Sequence, residues 1–247
     1  MIPLKSKGDL EQLRTSGKIL ASVMQKLRGF IDIGISTSEI DKLAEELIRQ
    51  ENALPAFKGY KGYPASVCTS INEEIVHGIP SERRLKEADI LSLDVGINYQ
   101  GYFSDAAFTV GIGKISPKHK KLIEVTKNAL SEGIKQARCE NRLYDISYAI
   151  QNYVEKNGFS VVRQYVGHGI GVNLHEEPEI PNFGQPHRGP VLKSGMVLAI
   201  EPMVNMGTWE SELLENGWTA ITHDRLASAH FEHTVAITEN GPEILTQ

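Results

Sequence analysis

The 247-residue chain has little cysteine, no excess of positive charge and no long apolar run. Its two cysteines, Cys68 and Cys139, form no C-x-x-C pair, which excludes a cysteine-based zinc knuckle. So few cysteines fit a reducing compartment better than a disulfide framework. The first residues, Met1-Ile2-Pro3-Leu4-Lys5-Ser6-Lys7, run into charge without an apolar core, so no signal peptide is expected. No stretch is long enough to span a bilayer. The formal net charge is −5, which gives no ground for sequence-independent nucleic-acid binding. No low-complexity segment or linker divides the chain, and no oligomer interface is evident. The expectation is a cytoplasmic monomer with no membrane partner and no specific nucleic-acid sequence to bind.

What is present suits one large domain, 1–247. Hydrophobic residues make up 40% and charged residues 23%, enough to bury a sizeable core. Asp9 is read as a helix cap with Gln12 as its capping-box partner. Leu10, Leu13, Leu20, Val23, Met24 and Leu27 then recur at helical spacing. A second helix follows Thr37-Ser38 and fades near Asn52. Residues 88–111 read as a hairpin with its turn at Asn98-Tyr99-Gln100-Gly101. Folded about Tyr99 and Gln100, it sets Asp94 directly opposite Asp105, with Cβ atoms about 5 Å apart. Leu91, Leu93, Val95 and Ile97 point to the other face.

The pattern then repeats. Ser116-Pro117 starts a third helix, and a fourth carries Leu143, Ile146, Ile150 and Val154 and stops at Gly158. Strands are expected at 160–166, 196–201 and 228–238. The interval from Leu10 to Pro117 equals that from Asp94 to Glu201. The interval from Asp105 to Glu232 is longer by roughly twenty residues, which fits an insertion near 205–227. The reading is two αα-plus-hairpin halves, about 1–112 and 113–247, each giving two acids to one cleft. Loops at 54–64, 77–80 and 178–195 are long enough to shape a site.

Asp94, Asp105, His168, Glu201 and Glu232 each sit in a short apolar or glycine-rich segment, where an unpaired charge is costly to bury. Any one of them alone could be a strand-end acid reaching water or a surface histidine. Together, four carboxylates would repel, and two divalent cations would offset all four charges. One imidazole among four carboxylates, with no thiolate, suits manganese, iron(II) or cobalt at least as well as zinc. Two such ions would activate a bridging water as nucleophile and polarise a carbonyl. His77, in His77-Gly78-Ile79-Pro80, and His175, in His175-Glu176-Glu177-Pro178, lie in loops shaped by glycine or proline.

These residues resemble the type I methionine aminopeptidases, over about residues 5 to 242. The shared stretches include Tyr63-Pro64-Ala65-Ser66-Val67-Cys68, Ser70-Ile71-Asn72-Glu73, His77-Gly78-Ile79-Pro80, Gly167-His168-Gly169-Ile170-Gly171 and Ile200-Glu201-Pro202. The resemblance implies the pita-bread fold, an α/β domain of pseudo-two-fold ααββ halves around a curved antiparallel sheet. It implies two divalent ions (Co, Mn, Fe(II) or Zn). Asp94 would hold one and His168 the other, with Asp105, Glu201 and Glu232 completing the pair. Catalytic roles fall to His77, His175 and Glu201. His175 would bond the scissile carbonyl and its developing oxyanion, His77 the amide beyond it, and Glu201 would shuttle the proton. The methionine pocket would comprise Phe57, Tyr60, Tyr63, Cys68, Leu174 and Trp218, with His77 and His175 also touching substrate. Phe57 and Leu174 depart from the cysteine and phenylalanine that many members carry, so the pocket's shape should differ while staying apolar.

The implied activity is removal of the initiator methionine from nascent proteins whose second residue is small, with transient ribosome association. By that rule the bulky Ile2 keeps Met1 in place. Two other readings compete. A proline-specific pita-bread peptidase has a similar metal site but usually a large preceding domain. A non-catalytic pita-bread binding module usually lacks several ligands.

Overall fold

The computed structural model describes residues 2–247; Met1, and with it the expectation of its retention, lies outside the described residues. Four helices follow from apolar residues at helical spacing: α1 Lys7–Phe30, α2 Thr37–Gln50, α3 Pro117–Gln136 and α4 Leu143–Lys156. Serine opens the first three, at Ser6, Ser36 and Ser116. The cap of α1 is therefore not Asp9 with Gln12. The Ser6 hydroxyl accepts from the Asp9 backbone N–H at 3.2 Å, and Asp9 Oδ2 accepts from the Ser6 N–H at 2.8 Å. Ser6-x-x-Asp9 places the hydroxyl outside the helix and the acid in its first turn, which Asp9-x-x-Gln12 does not.

Most strands are short. In the first half they are β1 Leu54–Pro55, β2 Val67–Ile71, β3 Glu74–Val76, β4 Ile90–Tyr99 and β5 Tyr102–Gly111, the last two of 10 residues each. The second half has β6 Ser160–Val161, β7 Gly167–Gly169, β8 Glu176–Ile180, β9 Val197–Ile200, β10 Met203–Asn205, β11 Ser211–Leu213, β12 Ala220–Thr222, β13 Ser228–His230, β14 Glu232–Thr238 and β15 Gly241–Ile244. The main sheet runs β1-β4-β5-β14-β9-β7-β8, with β2 also on β4 and β15 on β14. Its pairings are antiparallel. Around the β5/β14 centre the order β4-β5-β14-β9 mirrors itself, with a helix pair preceding each half.

One face of this sheet is covered by helices. Leu20, Val23 and Leu27 of α1 and Leu122, Val125 and Leu130 of α3 join Leu91, Leu93, Val95 and Ile97 of β4 in one buried cluster. Each fully buried aliphatic side chain there contributes about 1.5–3 kcal/mol. The other face carries Ser92 and Asp94 of β4 and Asp105 and Thr109 of β5.

Three sequence expectations change. The hairpin turn is Gln100-Gly101, with φ of 51° and 89°, so both central residues lie in the left-handed region that a two-residue turn of this hand requires. This moves the pairing by two residues. Asp94 faces Ala107, and Asp105 faces Gly96, so the two acids are diagonal neighbours rather than partners. A shift of two preserves the face, so both still point the same way. The strand expected over 160–166 shrinks to β6, and 164–166 instead border a cavity. The strand expected over 228–238 breaks at Phe231 into β13 and β14. Residues 206–227 form the β11–β12 excursion, which pairs with β3.

Candidate metal centre and substrate cavity

Strand register alone gathers the five sequence-selected ligands. Asp94 on β4 and Glu232 on β14 both face Ala107, from either side of β5. Asp105 is two residues from Ala107 and shares that face. Thr234 faces Ala199, which faces His168 on β7. Glu232 and Glu201 are two residues from Thr234 and Ala199, and so take the same side. Glu201 lies just past the end of β9, where the Asn182 amide donates to its carbonyl at 3.2 Å. Thr234 staples the centre together. Its hydroxyl accepts from the Asp105 N–H at 2.9 Å and donates to the Asp105 carbonyl at 2.8 Å.

The glycines beside His168 serve backbone approach. A Cβ on Gly169 would stand 2.2 Å from the Glu177 carbonyl oxygen, so no larger residue lets β7 meet β8 there. His168 Nδ1 lies 2.9 Å from the Gly169 carbonyl. A carbonyl only accepts, so Nδ1 carries the proton and Nε2 presents a lone pair, 3.5 Å from Glu201 Oε1.

The electrostatics are those of a cation site. Among the described residues no lysine or arginine ion-pairs with the four acids; the basic groups beside Glu201 are the imidazoles of His168, at 3.5 Å, and His230, at 3.9 Å. Burial, then mutual repulsion, pushes Asp94, Glu201 and Glu232 well above the usual carboxylate range. Burial likewise pushes Asp105 up to about 7. Asp94 Oδ1, Asp105 Oδ1, Glu232 Oε1 and His230 Nε2 are buried without a hydrogen-bond partner. Ligand atoms of Asp105, His168 and Glu232 lie within 4.8 Å of one another, and so do those of Glu201, His230 and Glu232. Orphaned oxygens and imidazole nitrogens at these separations fit divalent cations, and the oxygen-rich donor set suits hard to borderline metals.

These acids form one wall of a cavity of about 290 Å³. Phe57, Tyr60, Tyr63, Cys68, Leu174 and Trp218 all line it, as do His77 and His175. Cys68 faces Asp94 across β2 and β4. Phe57 lies over Gly96: a Cβ there would stand 2.5 Å from the ring. Tyr63 meets Trp218 edge-on at 5.1 Å and donates its hydroxyl toward the Gly78 carbonyl at 3.0 Å. Trp218 arrives on the β11–β12 excursion, so the inserted segment supplies one wall.

Two histidines flank the acids. His175 stacks on Tyr60 at 5.1 Å, with Nδ1 2.9 Å from the tyrosine hydroxyl, and its ring centre is 4.2 Å from that of His168. The surrounding protein and then the neighbouring His168, Lys61 and His77 hold its pKa at about 3. His77 takes a φ of 60°, unusual for a side-chain-bearing residue, and meets Tyr165 edge-on at 5.6 Å. Burial lowers its pKa. Both rings are thus neutral at pH 7, able to donate one N–H and accept at the other nitrogen.

The loops at 54–64 and 77–80 shape this cavity, but 178–195 does not border it. That segment packs on α4 instead, with Gly184 and Gly189 against Tyr144. The cavity also holds residues the sequence reading passed over: Lys61, Tyr165, Met203 and His230. His230 was legible by alternation, two residues before Glu232; Tyr165 carried no such signal.

Comparison with known proteins agrees with this geometry. The family model of metallopeptidase family M24 matches residues 11–239. The chain is 52% identical over 246 residues to a methionine aminopeptidase of Clostridium perfringens, covering 100% of this chain and 99% of that one. It is 51% identical over 247 residues to methionine aminopeptidase 1 of Bacillus subtilis, covering both in full. The crystal structure of methionine aminopeptidase from Rickettsia prowazekii superposes with a TM-score of 0.99 at 40% identity, each chain covered completely. The prolidase from Pyrococcus horikoshii has a TM-score of 0.81 at 23% identity, covering 99% of this chain and 63% of that one; this likeness is one of fold alone.

Proposed function

The chain belongs to metallopeptidase family M24, and from that premise we propose that it removes the initiator methionine of nascent proteins whose second residue is small. It is a metal-dependent exopeptidase that cleaves methionine from the N-terminus, and its fold is the pita-bread fold of its relatives. Neither the proline-specific alternative nor the non-catalytic one is favoured. The observation that carries the proposal is one cavity with an apolar, sulfur- and aromatic-lined end beside four acids and an imidazole on a single sheet face.

Asp94, Asp105, His168, Glu201 and Glu232 would hold two divalent ions. Bound there, these supply Lewis acidity, polarising the scissile carbonyl and acidifying water. The residues do the rest. Phe57, Tyr60, Tyr63, Cys68, Leu174 and Trp218 enclose the thioether side chain, whose polarizable sulfur favours aromatic walls. Tyr60 orients His175 through Nδ1, leaving Nε2 to donate to the carbonyl oxygen as charge builds on it. His77, also in the cavity wall, bonds the amide beyond the scissile bond. Glu201 accepts the proton of the attacking water and passes it to the leaving nitrogen as the C–N bond breaks.

The mirrored strand order supports a single domain, 1–247, built from halves about 1–112 and 113–247. No helix among the described residues is long and apolar enough to cross a membrane. The proposal extends to a cytoplasmic monomer acting on emerging chains with transient ribosome contact; the low cysteine content fits a reducing compartment. Steady-state hydrolysis of Met-Ala-Ser and Met-Leu-Ser tests the substrate rule. Cleavage of the alanyl peptide at least a hundredfold faster is expected; equal rates would overturn selection for a small second residue.

A further inference from the structure

His230 lines the cavity beside the acids, and the proposed mechanism leaves its chemistry unused. Its backbone is fixed twice by Thr109: the His230 N–H donates to Thr109 Oγ1 at 2.8 Å, and that hydroxyl donates to the His230 carbonyl at 2.8 Å. The ring is thereby aimed into the cavity, and its Nε2 is buried with no hydrogen-bond partner. It stands 3.9 Å from Glu201 Oε2, too far for a hydrogen bond. Glu232 Oε1, beside them, is likewise orphaned. Two donors sharing one ion, each about 2.0–2.2 Å from it, stand roughly 3–4 Å apart. The spacing of this trio suits a cation between its members better than contact among them, as does a set of ligand atoms within 4.8 Å of one another.

We propose that His230 is a second imidazole ligand of the metal centre, its nitrogen coming from β13 to share a cation position with Glu201 and Glu232. The proposal rests on the metallopeptidase reading of the same cavity. It has a chemical consequence. The centre would then offer two imidazole nitrogens beside its carboxylates rather than one, a shift in donor set that favours cobalt, iron(II) or zinc over manganese. Because Thr109 holds the strand through the backbone, replacing the ring leaves that anchor in place.

The test compares wild type, His230→Gln and, as a reference for losing a known candidate, His168→Gln, each stripped of metal and reloaded with zinc. X-ray absorption fine structure multiplied by metal content gives total imidazole ligands per protein, and titration calorimetry gives the Kd for zinc. Two imidazoles are expected in wild type and one in each variant, with zinc bound at least tenfold more weakly by His230→Gln. An unchanged imidazole count in His230→Gln overturns the assignment, whatever the affinity does, since weaker binding with the same count marks a hydrogen-bonding role. Failure of wild type to bind zinc, manganese or cobalt would overturn the metallopeptidase reading itself, so the two failures are distinguishable.

Discussion

Lys5 and Glu176, 171 residues apart in the chain, form an ion pair whose side chains are only 5% and 6% exposed. The lysine is held by its own backbone, whose N–H donates to the Gly195 carbonyl at 2.7 Å. Its stem lies against Gly171, and Glu176 also accepts from the Asn173 N–H at 3.1 Å. The N-terminal segment thus locks the turn that carries His175. Removing the ammonium alone leaves a buried carboxylate without its counter-charge. Lys5→Met is expected to cost about 3–5 kcal/mol in denaturant unfolding, and Lys5→Met with Glu176→Leu distinctly less. Equal losses in the single and double variants would show that the pair is not the source.

Glu201→Gln removes the proposed proton carrier while keeping size, and His175→Ala removes the proposed donor to the carbonyl oxygen. Each is expected to lower kcat for a methionyl peptide at least a hundredfold, about 3 kcal/mol of barrier, with unfolding midpoints within a few degrees of wild type. Near-normal kcat in either variant contradicts its role.

The metal-free protein should lose stability as pH rises above neutrality. Asp105 has a folded pKa of about 7, and Asp94, Glu201 and Glu232 are also raised. A raised carboxyl pKa stabilises fully below its unfolded value, near 4, and that contribution is lost as pH climbs through the folded value. His168, at about 4, and His175 and His230, at about 3, have the opposite sign; their contribution grows up to the unfolded value near 6.5 and is then constant. Above pH 6.5 only the carboxyl slope remains. Tm of the apoprotein should therefore fall between pH 6.5 and 8.5, and metal loading should flatten that fall while releasing protons. A rising Tm over that window would contradict the buried-acid account.

Phe57 rests on Gly96, so the glycine sets where the ring stands in the pocket. Gly96→Ala should cost about 1–3 kcal/mol through crowding and raise KM for Met-Ala-Ser more than it lowers kcat. An unchanged KM would show that this ring does not shape the methionine pocket.

The sequence carried the helices because their apolar spacing and, at α3, the Ser116-Pro117 start are local signals. It also carried the five acid and imidazole candidates, whose type and apolar surroundings are readable residue by residue. Register was harder. Gln100 in a left-handed turn is a conformation few sequences announce, and it moved Asp94 from Asp105 to Ala107. The common face survived only because the slip was an even number of residues. Ser6 was overlooked as the α1 cap because Asp9 is itself a good capping residue. Lys5–Glu176 and the Tyr60–His175 stack join distant segments and could not be read from spacing.

The most direct test strips the protein of metal and titrates Mn, Co, Fe(II) and Zn back while following hydrolysis of Met-Ala-Ser, Leu-Ala-Ser and Ala-Pro-Ser. The account predicts no turnover in the apoprotein, recovery that saturates with bound metal, and cleavage confined to the methionyl peptide. Full turnover without metal, or release of alanine from Ala-Pro-Ser instead, would contradict it.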